Sequence, residues 1–170
     1  TDAKVIGIIE RQVEHLSHLV DDLLDVSRIN HGKIELKCEP VALGAVLTSA
    51  LDTTESLMAA KHHMVQADWP AAPVWVNADF TRLSQVFGNL LNNAAKFTPA
   101  GGEIRVGYAV QGEQVRIWVA DNGAGIRPEL IPRIFDIFIQ DDGSLDRAQG
   151  GLGLGLSLVR RLTQLHGGDV

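Results

Sequence analysis

The N-terminal part of the chain carries apolar side chains at alternating steps of four and three residues, a spacing typical of a helix in a bundle or coiled coil. Acidic and polar residues fill most of the remaining positions. The pattern predicts one helix over residues 3–30, ended by a turn at 30–32. A stripe this wide needs a packing partner, either another helix of a bundle or the core of one larger domain. The regularly spaced residues are Ile9, Val13, Leu16, Val20 and Leu23.

Beyond residue 32 the pattern changes to shorter elements, in which helical periodicity and strand-like alternation take turns. The predicted strands are 33–40, 63–67, 74–77, 104–110 and 115–119. The predicted helices are 41–61, 79–97 and 153–166. Residues 121–152 are predicted to be rich in loops, with short helical stretches near 128–138. This mixture predicts an α+β fold with helices on one face of a largely antiparallel sheet, and it divides the chain into domains 1–32 and 33–170.

Composition narrows the possible functions. The chain has 170 residues, of which 45% are hydrophobic, so it can bury a core. Its formal charge of −6 argues against nonspecific binding to nucleic acid or to an anionic membrane, and we expect no nucleic-acid partner. The single cysteine, Cys38, allows no internal disulfide, and no apolar run approaches the ~20 residues that cross a bilayer. We expect a cytoplasmic segment, and the missing initial Met suggests that it was excised from a longer protein.

A polar stripe runs along the predicted helix 79–97. At 100° per residue, Asn89, Asn93 and Lys96 share one face with Arg82 and Gln85. The stripe could simply meet water, but asparagine is a poor helix former and such a face more often carries Glu, Lys or Gln. Amide oxygens suit Mg²⁺, and a lysine adds a point charge for phosphate. The stripe therefore indicates a site for a magnesium-bound phosphate.

A second motif, Asp121 to Ile126, follows directly after the predicted strand 115–119. Its glycines, Gly123 and Gly125, let the backbone approach a flat ligand closely. The Asp121 carboxylate can accept a hydrogen bond from an exocyclic amine such as that of adenine. An ordinary Asn-Gly turn after a strand is the alternative.

A glycine-rich segment, 150–156, opens the last predicted helix. Free backbone N–H groups and the positive end of the helix dipole make such a segment suitable for phosphate. A flexible hinge is the alternative, although glycine is costly inside a helix. The chain contains neither a Walker motif nor the dinucleotide-binding glycine spacing, so another architecture would hold the phosphate.

In this order, and with Phe135 and Phe138 between the last two, the motifs resemble the N, G1, F and G2 boxes of sensor histidine kinases. The resemblance covers nearly all of residues 5–168, and residues 11–29 resemble the second helix of the family's dimerisation and phosphotransfer bundle. It implies the two-layer α/β sandwich of histidine kinase, gyrase and heat-shock chaperone ATPases, preceded by one long bundle helix. The residues that the resemblance assigns to ATP are Asn89, Asn93, Lys96, Phe97, Asp121, Gly123, Gly125, Ile126, Phe138, Gly151, Leu152, Gly153, Leu154 and Gly155.

The resemblance also implies a role for several of these residues. Asn93, with Asn89, would hold Mg²⁺, and Lys96 would contact phosphate. Asp121 would read the adenine amine, and Phe97 would pack near the ring. No residue is predicted to be catalytic in the strict sense, but Asn89 and Lys96 are candidates for supporting the transition state.

The same resemblance predicts one mobile segment and shows where this sequence departs from the family's pattern. Residues 140–150 would form a mobile lid over the nucleotide. Gln140 stands where many members have an arginine, and the family would add a strand after Val170. No histidine has the family's acceptor surroundings, so we expect the first bundle helix to be absent from this sequence, and all histidines are predicted to be structural or on the surface. They are His15, His18, His31, His62, His63 and His166.

The implied reaction is transfer of the γ-phosphoryl group of ATP, with Mg²⁺, to a histidine outside this chain. The implied partners are a second protomer, through helix 3–30, and the receiver domain of a response regulator. The parent protein could be membrane-anchored. The alternatives are a nucleotide-binding or dimer scaffold without catalysis, a related ATPase, and a helix 3–30 that serves only as a linker. The related ATPases use a glutamate where this chain has Asn89, so slow ATP hydrolysis is expected.

Overall fold

The computed structural model describes residues 34–139 and 152–170, together with positions 6, 7, 9, 13, 16, 17, 20, 21, 23–25, 27 and 28. The described positions between 6 and 28 are all helical, and we call this segment α1. Its described large apolar side chains are between 47% and 62% exposed, so they lie outside the core of the following domain. These exposed side chains do not have the burial expected of a core helix in one larger domain, which was the alternative prediction.

The following domain contains three further helices and five strands among its described residues. They are β1 (Glu39–Ala42), α2 (Leu43–Ala60), β2 (Met64–Asp68), β3 (Trp75–Ala78), α3 (Phe80–Phe97), β4 (Glu103–Gln111), β5 (Gln114–Asp121) and α4 (Gly155–Leu165). A short 3₁₀ turn, Ile131–Arg133, lies within the predicted helical stretches near 128–138. The order and type of the elements agree with the α+β prediction.

The strands form two sheets. β1 pairs with β3 in antiparallel register, from Glu39 opposite Ala78 to Ala42 opposite Trp75. β4 lies in the middle of the second sheet, antiparallel to β5 and parallel to β2. The predominance of antiparallel pairing is confirmed, but the parallel β2–β4 pair was not expected. It arises because α3 and β3 separate the two strands in the chain, and a crossover of that length permits a parallel return.

The predicted strand 33–40 is wrong in its position. Residues 34–38 are in no regular element, and the strand occupies Glu39–Ala42. Alternation of Ile34, Leu36 and Cys38 had suggested a strand, but only the later residues face a partner, β3. Helix α2 consequently begins at Leu43, where the Leu43 N–H donates to the Val74 carbonyl oxygen.

One hydrophobic core joins the helices to the sheet. It contains buried side chains from α2, α3, β4 and α4, and α3 packs against both neighbouring helices and β5. The fully buried members include Leu43, Val46, Leu47, Leu91, Ile104, Val106, Leu158, Val159 and Leu162. Helix α3 therefore occupies the centre of the helical layer of a two-layer sandwich.

The ends of α3 have clear local causes. Asp79 is its N-cap, and the carboxylate accepts a hydrogen bond of 3.1 Å from the Arg82 N–H. Thr98 ends the helix in an extended conformation, as expected for a residue that precedes a proline. Both ends agree with the predicted helix 79–97, so the polar stripe is set on a helix of well-defined register.

Candidate nucleotide-binding site

The C-terminal half of α3 presents the asparagine and lysine side chains singled out in the sequence. Asn89, Asn93 and Lys96 are each partly buried, and Phe97 is 44% exposed at the end of the helix. Burial, and then the positive charge of Lys61, lowers the pKa of the Lys96 ammonium. Its Nζ lies 4.7 Å from the centroid of the Phe97 ring, a cation–π contact. An anionic ligand bound beside the Lys96 ammonium would therefore relieve its repulsion from Lys61.

Lys61 is a residue of this region that the sequence did not reveal. Its Nζ donates to the carbonyl oxygens of Ala95, at 2.9 Å, and Lys96, at 2.8 Å. It thus supplies hydrogen bonds to carbonyl groups that have no partner within the helix, and its charge offsets the negative end of the α3 dipole. Only the packing of α2 against α3 brings it there, and a basic residue after a helix carries no signal of its own.

The segment that follows β5 lies against the same end of α3. The Ala124 N–H donates to the carbonyl oxygen of Phe97 at 3.3 Å. A Cβ atom at Gly123 would lie 2.5 Å from that oxygen, so only glycine permits this approach. The Gly123 N–H also donates to Oδ1 of Asp121 at 2.9 Å, which fixes the exposed carboxylate in a turn.

Two further contacts orient this segment. Asn122, which the sequence did not single out, accepts a hydrogen bond of 2.8 Å from the Glu103 N–H and so ties the segment to the start of β4. Gly125 has a φ of +73°, in the region that favours glycine. Ile126 follows with 52% of its surface exposed. The segment that contacts the end of α3 through Gly123 and Ala124 therefore also carries an exposed aspartate, a second glycine and an exposed apolar side chain.

The glycine-rich segment contacts α3 two turns earlier. Nδ2 of Asn89 lies 3.5 Å from the carbonyl oxygen of Gly155, the first residue of α4. A Cβ atom at Gly155 would lie 3.7 Å from the Asn89 carboxamide carbon. The N-terminal end of α4, with its free N–H groups, is therefore adjacent to the polar stripe.

Gly153 joins this segment to the phenylalanine motif. The Phe138 N–H donates to the Gly153 carbonyl oxygen at 3.1 Å, and a Cβ atom at Gly153 would lie 2.8 Å from the Ile139 carbonyl oxygen. Gly153 has a φ of +70°, which explains why α4 begins at Gly155 and not at the predicted residue 153.

The surrounding side chains differ in what they could offer a ligand. Phe138 is 63% exposed and Leu152 is 39% exposed, whereas Leu154 is 2% exposed and could contribute only its backbone. Gly151, Gln140 and the predicted lid 140–150 lie outside the described residues.

The segment after β5 and the glycine-rich segment therefore both contact α3, through Gly123 and Ala124 at one end and Gly155 at the other. The glycine-rich start of α4 lies at Asn89 and the Asp121 segment lies at Phe97, about 12 Å apart along the helix axis, with Asn93 between them. The described residues contain no group of three or more His, Cys, Asp or Glu side chains that could hold a metal by themselves. They fit a metal that takes part of its coordination from a ligand's phosphate oxygens, as Mg²⁺ does.

Two histidines have structural positions, as predicted. Nε2 of His166 accepts a hydrogen bond from the Asp79 N–H at 3.1 Å, and Nδ1 lies 2.8 Å from the Leu162 carbonyl oxygen. This pair of contacts fits the neutral ring with its proton on Nδ1. His63 is partly buried with Nε2 3.2 Å from the Thr98 carbonyl oxygen, whereas His15, His18 and His31 lie outside the described residues. Among the described helices, none has the length and apolar character that a membrane span requires.

Residues 78–170 match the family of histidine kinase-, DNA gyrase B- and HSP90-like ATPases. The chain is 36% identical over 172 residues to a hybrid signal transduction histidine kinase of Dictyostelium discoideum, covering 98% of this chain and 11% of that protein. It resembles the crystal structure of full-length ShkA in complex with AMPPNP, with a TM-score of 0.77, 30% identity and coverage of 95% of this chain and 33% of that one.

A second solved structure, the histidine kinase ThkA in complex with the response regulator protein TrrA, has a TM-score of 0.73 and 25% identity. It covers 99% of this chain and 46% of that one. The chain thus spans less than half the length of each of these proteins. With the family model matching more than half of its residues, the chain belongs to the histidine kinase-, DNA gyrase B- and HSP90-like ATPases, as the catalytic domain of a sensor histidine kinase.

Proposed function

We propose that this chain binds ATP with Mg²⁺ and, in the whole protein, transfers the γ-phosphoryl group to a histidine of the dimerisation bundle, for relay to a response regulator aspartate. The observation that carries the proposal is the meeting of three motifs on α3, with Gly155 at Asn89 and Gly123 at Phe97. A ligand along this face would have a carboxylate at one end and helix N–H groups at the other. These are the groups that an adenine amine and a polyphosphate require.

The metal would be held by the carboxamide oxygens of Asn93 and Asn89 together with phosphate oxygens. The Asn93 side chain makes no hydrogen bond to another described residue, so its carboxamide is available to a ligand. Magnesium is usually bound through one or two protein oxygens plus phosphates and water, which matches a site with few protein ligands. Bound there, Mg²⁺ would offset the charge that develops on the phosphates.

Adenine would lie at the opposite end of the site. Oδ1 of Asp121 accepts the Gly123 N–H, and Oδ2 has no hydrogen bond within the described residues, which leaves it for the adenine amine. The exposed rings of Phe97 and Phe138 and the side chain of Ile126 offer apolar surface to a flat base. The backbone of Gly125, Leu152, Gly153 and Leu154 would border the nucleotide, with Gly151 next to the triphosphate.

The chain's own groups would position the reactants and neutralise charge. Phosphoryl transfer passes through a loose transition state, so the protein contributes little covalent chemistry. The Lys96 ammonium would bind phosphate oxygens, and that contact would reverse the lowering of its pKa. Asn89 carries an amide that cannot accept a proton from water, so the bound nucleotide would be hydrolysed only slowly.

The exposed apolar stripe of α1 supports a dimer interface over residues 3–30. Its described members include Val13 and Leu16, each 62% exposed, and these need cover from a partner helix. ThkA, whose structure this chain resembles, forms a complex with a response regulator protein, and we extend that partner class to the present protein. A cytoplasmic location is part of the same proposal, because ATP is supplied there.

Titration with a fluorescent ATP analogue in the presence and absence of Mg²⁺ tests the proposal. Loss of a hydrogen bond to a charged group corresponds to about a 10- to 100-fold weaker affinity, and we expect this for Asp121→Asn and Asn93→Ala. Asn93→Ala should also remove most of the effect of Mg²⁺, whereas Asp121→Asn should keep it. Asn92→Ala is the matched control, because Asn92 is exposed on the same helix turn and outside the polar stripe.

Unchanged affinity in both variants would contradict the proposed site. Absence of binding in the wild type would favour a scaffold without catalysis. Rapid steady-state hydrolysis of ATP by the purified chain would favour a related ATPase.

A further inference from the structure

The last four carbonyl groups of an α-helix have no partner within the helix, and in α3 all four find a donor elsewhere. The N–H of Thr98, the residue that ends the helix, donates to the Ala94 carbonyl oxygen at 2.9 Å. The Ala124 N–H donates to the Phe97 carbonyl oxygen at 3.3 Å. The two carbonyl groups between them accept hydrogen bonds from the Lys61 ammonium. No carbonyl group at this end of α3 is therefore left for another cation.

The lysine that binds these carbonyl groups does not belong to α3. A lysine in the last turn of a helix can hydrogen-bond the last carbonyl groups of its own helix, and in α3 that lysine is Lys96. Their partner is instead Lys61, the residue that ends α2. The Lys96 ammonium forms no hydrogen bond or ion pair with a described residue and lies over the Phe97 ring. One lysine thus displaces the other from the helix end.

This arrangement costs free energy as long as the site holds no anion. A partly buried ammonium is destabilised unless an opposite charge or a set of acceptors compensates for its lost hydration. Burial, and then the neighbouring charge of Lys61, lowers the pKa of Lys96, which shows the same penalty. The ring of Phe97 offers only a weak compensation. A phosphate oxygen would supply what the protein itself withholds from Lys96.

We propose that Lys61 is a positioning residue for the nucleotide phosphates and acts through Lys96. Lys61 occupies the carbonyl groups that would otherwise bind the Lys96 ammonium, and its charge repels that ammonium from the helix end. Lys96 is thereby kept free for a phosphate oxygen, while Lys61 itself touches no part of the nucleotide. This inference rests on the proposed function, in which Lys96 binds phosphate.

The position of Lys61 allows this role to be separated from a structural one. The helix end that Lys61 holds also presents Phe97 and contacts Gly123, at the proposed adenine end of the site. If Lys61 served only to keep this end folded, its loss would weaken binding of the base. If Lys61 acts through Lys96, its loss weakens binding of the phosphates and leaves the base unaffected.

Competition of ATP and of adenosine against the fluorescent ATP analogue, with Mg²⁺ present, makes this distinction. Lys61→Met should lower the affinity for ATP by about five- to tenfold, as expected for loss of a hydrogen bond between charged groups. Affinity for adenosine should stay within about twofold. Lys37→Met is the matched control, because Lys37 is exposed in the segment that connects α1 to β1. This control should leave both affinities unchanged.

A double-mutant cycle tests whether Lys61 acts through Lys96. Lys96→Met should lower the affinity for ATP by about tenfold, and adding Lys61→Met should then lower it no further. Lys61→Arg keeps the positive charge and can donate to both carbonyl groups, so it should retain most of the affinity.

The displacement of Lys96 should also be visible without nucleotide. In Lys61→Met the carbonyl groups of Ala95 and Lys96 are vacant, so the Lys96 ammonium should bind them and exchange its hydrogens with water more slowly. Nuclear magnetic resonance of the lysine ammonium groups measures this exchange, and Lys96→Met identifies the signal. Equal exchange in wild type and Lys61→Met would contradict the displacement.

Three binding results would overturn the inference while leaving the proposed function intact. They are an unchanged affinity for ATP in Lys61→Met, equal losses for ATP and adenosine, and losses that add in the double variant. A wild-type chain that does not bind the analogue, or a Lys96→Met variant that binds ATP as the wild type does, would overturn the proposed phosphate contact and the inference with it.

Discussion

The two halves of α3 differ in what their polar side chains do. In the N-terminal half, Asp79, Arg82 and Gln85 are all engaged with other parts of the chain: the connecting segment, α1 and each other. In the C-terminal half, Asn93 and Lys96 form no side-chain hydrogen bond to a described residue, and Asn89 forms one, at 3.5 Å. Both halves lie on one rigid helix that packs between α2 and α4. A single helix thus holds the protein's own contacts at one end and leaves groups available for a ligand at the other.

Buried apolar side chains along α3 hold its two halves in the same core, so that the helix moves as one unit. Phe87 and Leu91 are buried on the opposite side of the helix, with exposures of 5% or less. A shift of α3 that follows from a change at Arg82 would therefore carry Asn89 and Asn93 with it. The first half therefore connects the domain to other parts of the chain, whereas the second half carries the proposed nucleotide site.

The largest expected effect is at the close approach between α3 and the Asp121 segment. Gly123→Ala places a Cβ atom 2.5 Å from the Phe97 carbonyl oxygen. Because both sides of this contact are backbone, we expect a loss of about 1–3 kcal/mol in the free energy of unfolding and markedly weaker binding of the ATP analogue. Urea denaturation and analogue titration measure the two effects.

Gly88→Ala is the control for that substitution. Gly88 lies in α3 with no atom within 4 Å of the added Cβ, and alanine is favoured in a helix by about 1 kcal/mol. This variant should be more stable than the wild type and should bind the analogue normally. Equal stability and equal affinity for the analogue in the two alanine variants would show that the close approach at Gly123 contributes to neither property.

A smaller effect is expected at the N-cap of α3. Asp79→Ala removes the acceptor for two backbone N–H groups, and loss of such a cap costs about 1 kcal/mol. Asp79→Asn can keep the cap and should lose less. Since the proposed nucleotide site lies in the other half of the helix, affinity for the analogue should be unchanged in both variants. A large loss of affinity in either variant would contradict this division of the helix into two halves.

The dependence of stability on pH tests the role of the Asp79 carboxylate. Burial raises the pKa of Asp79, but the N–H groups of Lys37 and Arg82 and the Arg82 charge outweigh it, so the pKa lies below the ordinary 3.8. The stabilisation is therefore present above pH 3.8 and is lost as the pH falls through the lowered value. The difference in unfolding free energy between wild type and Asp79→Asn should shrink below that pH, and a difference that stays constant down to acid pH would refute this assignment.

The smallest effect is expected at the other end of the helix. Lys61→Met removes a cation from the Ala95 and Lys96 carbonyl oxygens, at an expected cost of about 0.3–1 kcal/mol. It also removes a positive neighbour, so the pKa of Lys96 should rise. Nuclear magnetic resonance titration of the lysine side chains measures that shift. An unchanged Lys96 pKa would show that burial alone lowers it and that the Lys61 charge has no part.

The sequence by itself predicted the parts that depend on local pattern. The helix 79–97 was predicted almost to the residue, because its apolar stripe, its aspartate cap and the proline after Thr98 are all local signals. The order of the motifs was sufficient to identify the family. The roles of the individual site residues remain predictions, which the proposed titrations test.

Only the tertiary structure decided what depends on partners distant in the chain. The strand predicted at 33–40 lies at Glu39–Ala42, since pairing with β3 sets its position and alternation does not. The positions of Lys61 at the end of α3 and of Asp25 on Arg82 depend on how helices pack, 35 and 57 residues apart in the chain. A carboxylate on an apolar helix looked like ordinary solvated surface, because the cost of its burial becomes visible only when its partners are in place.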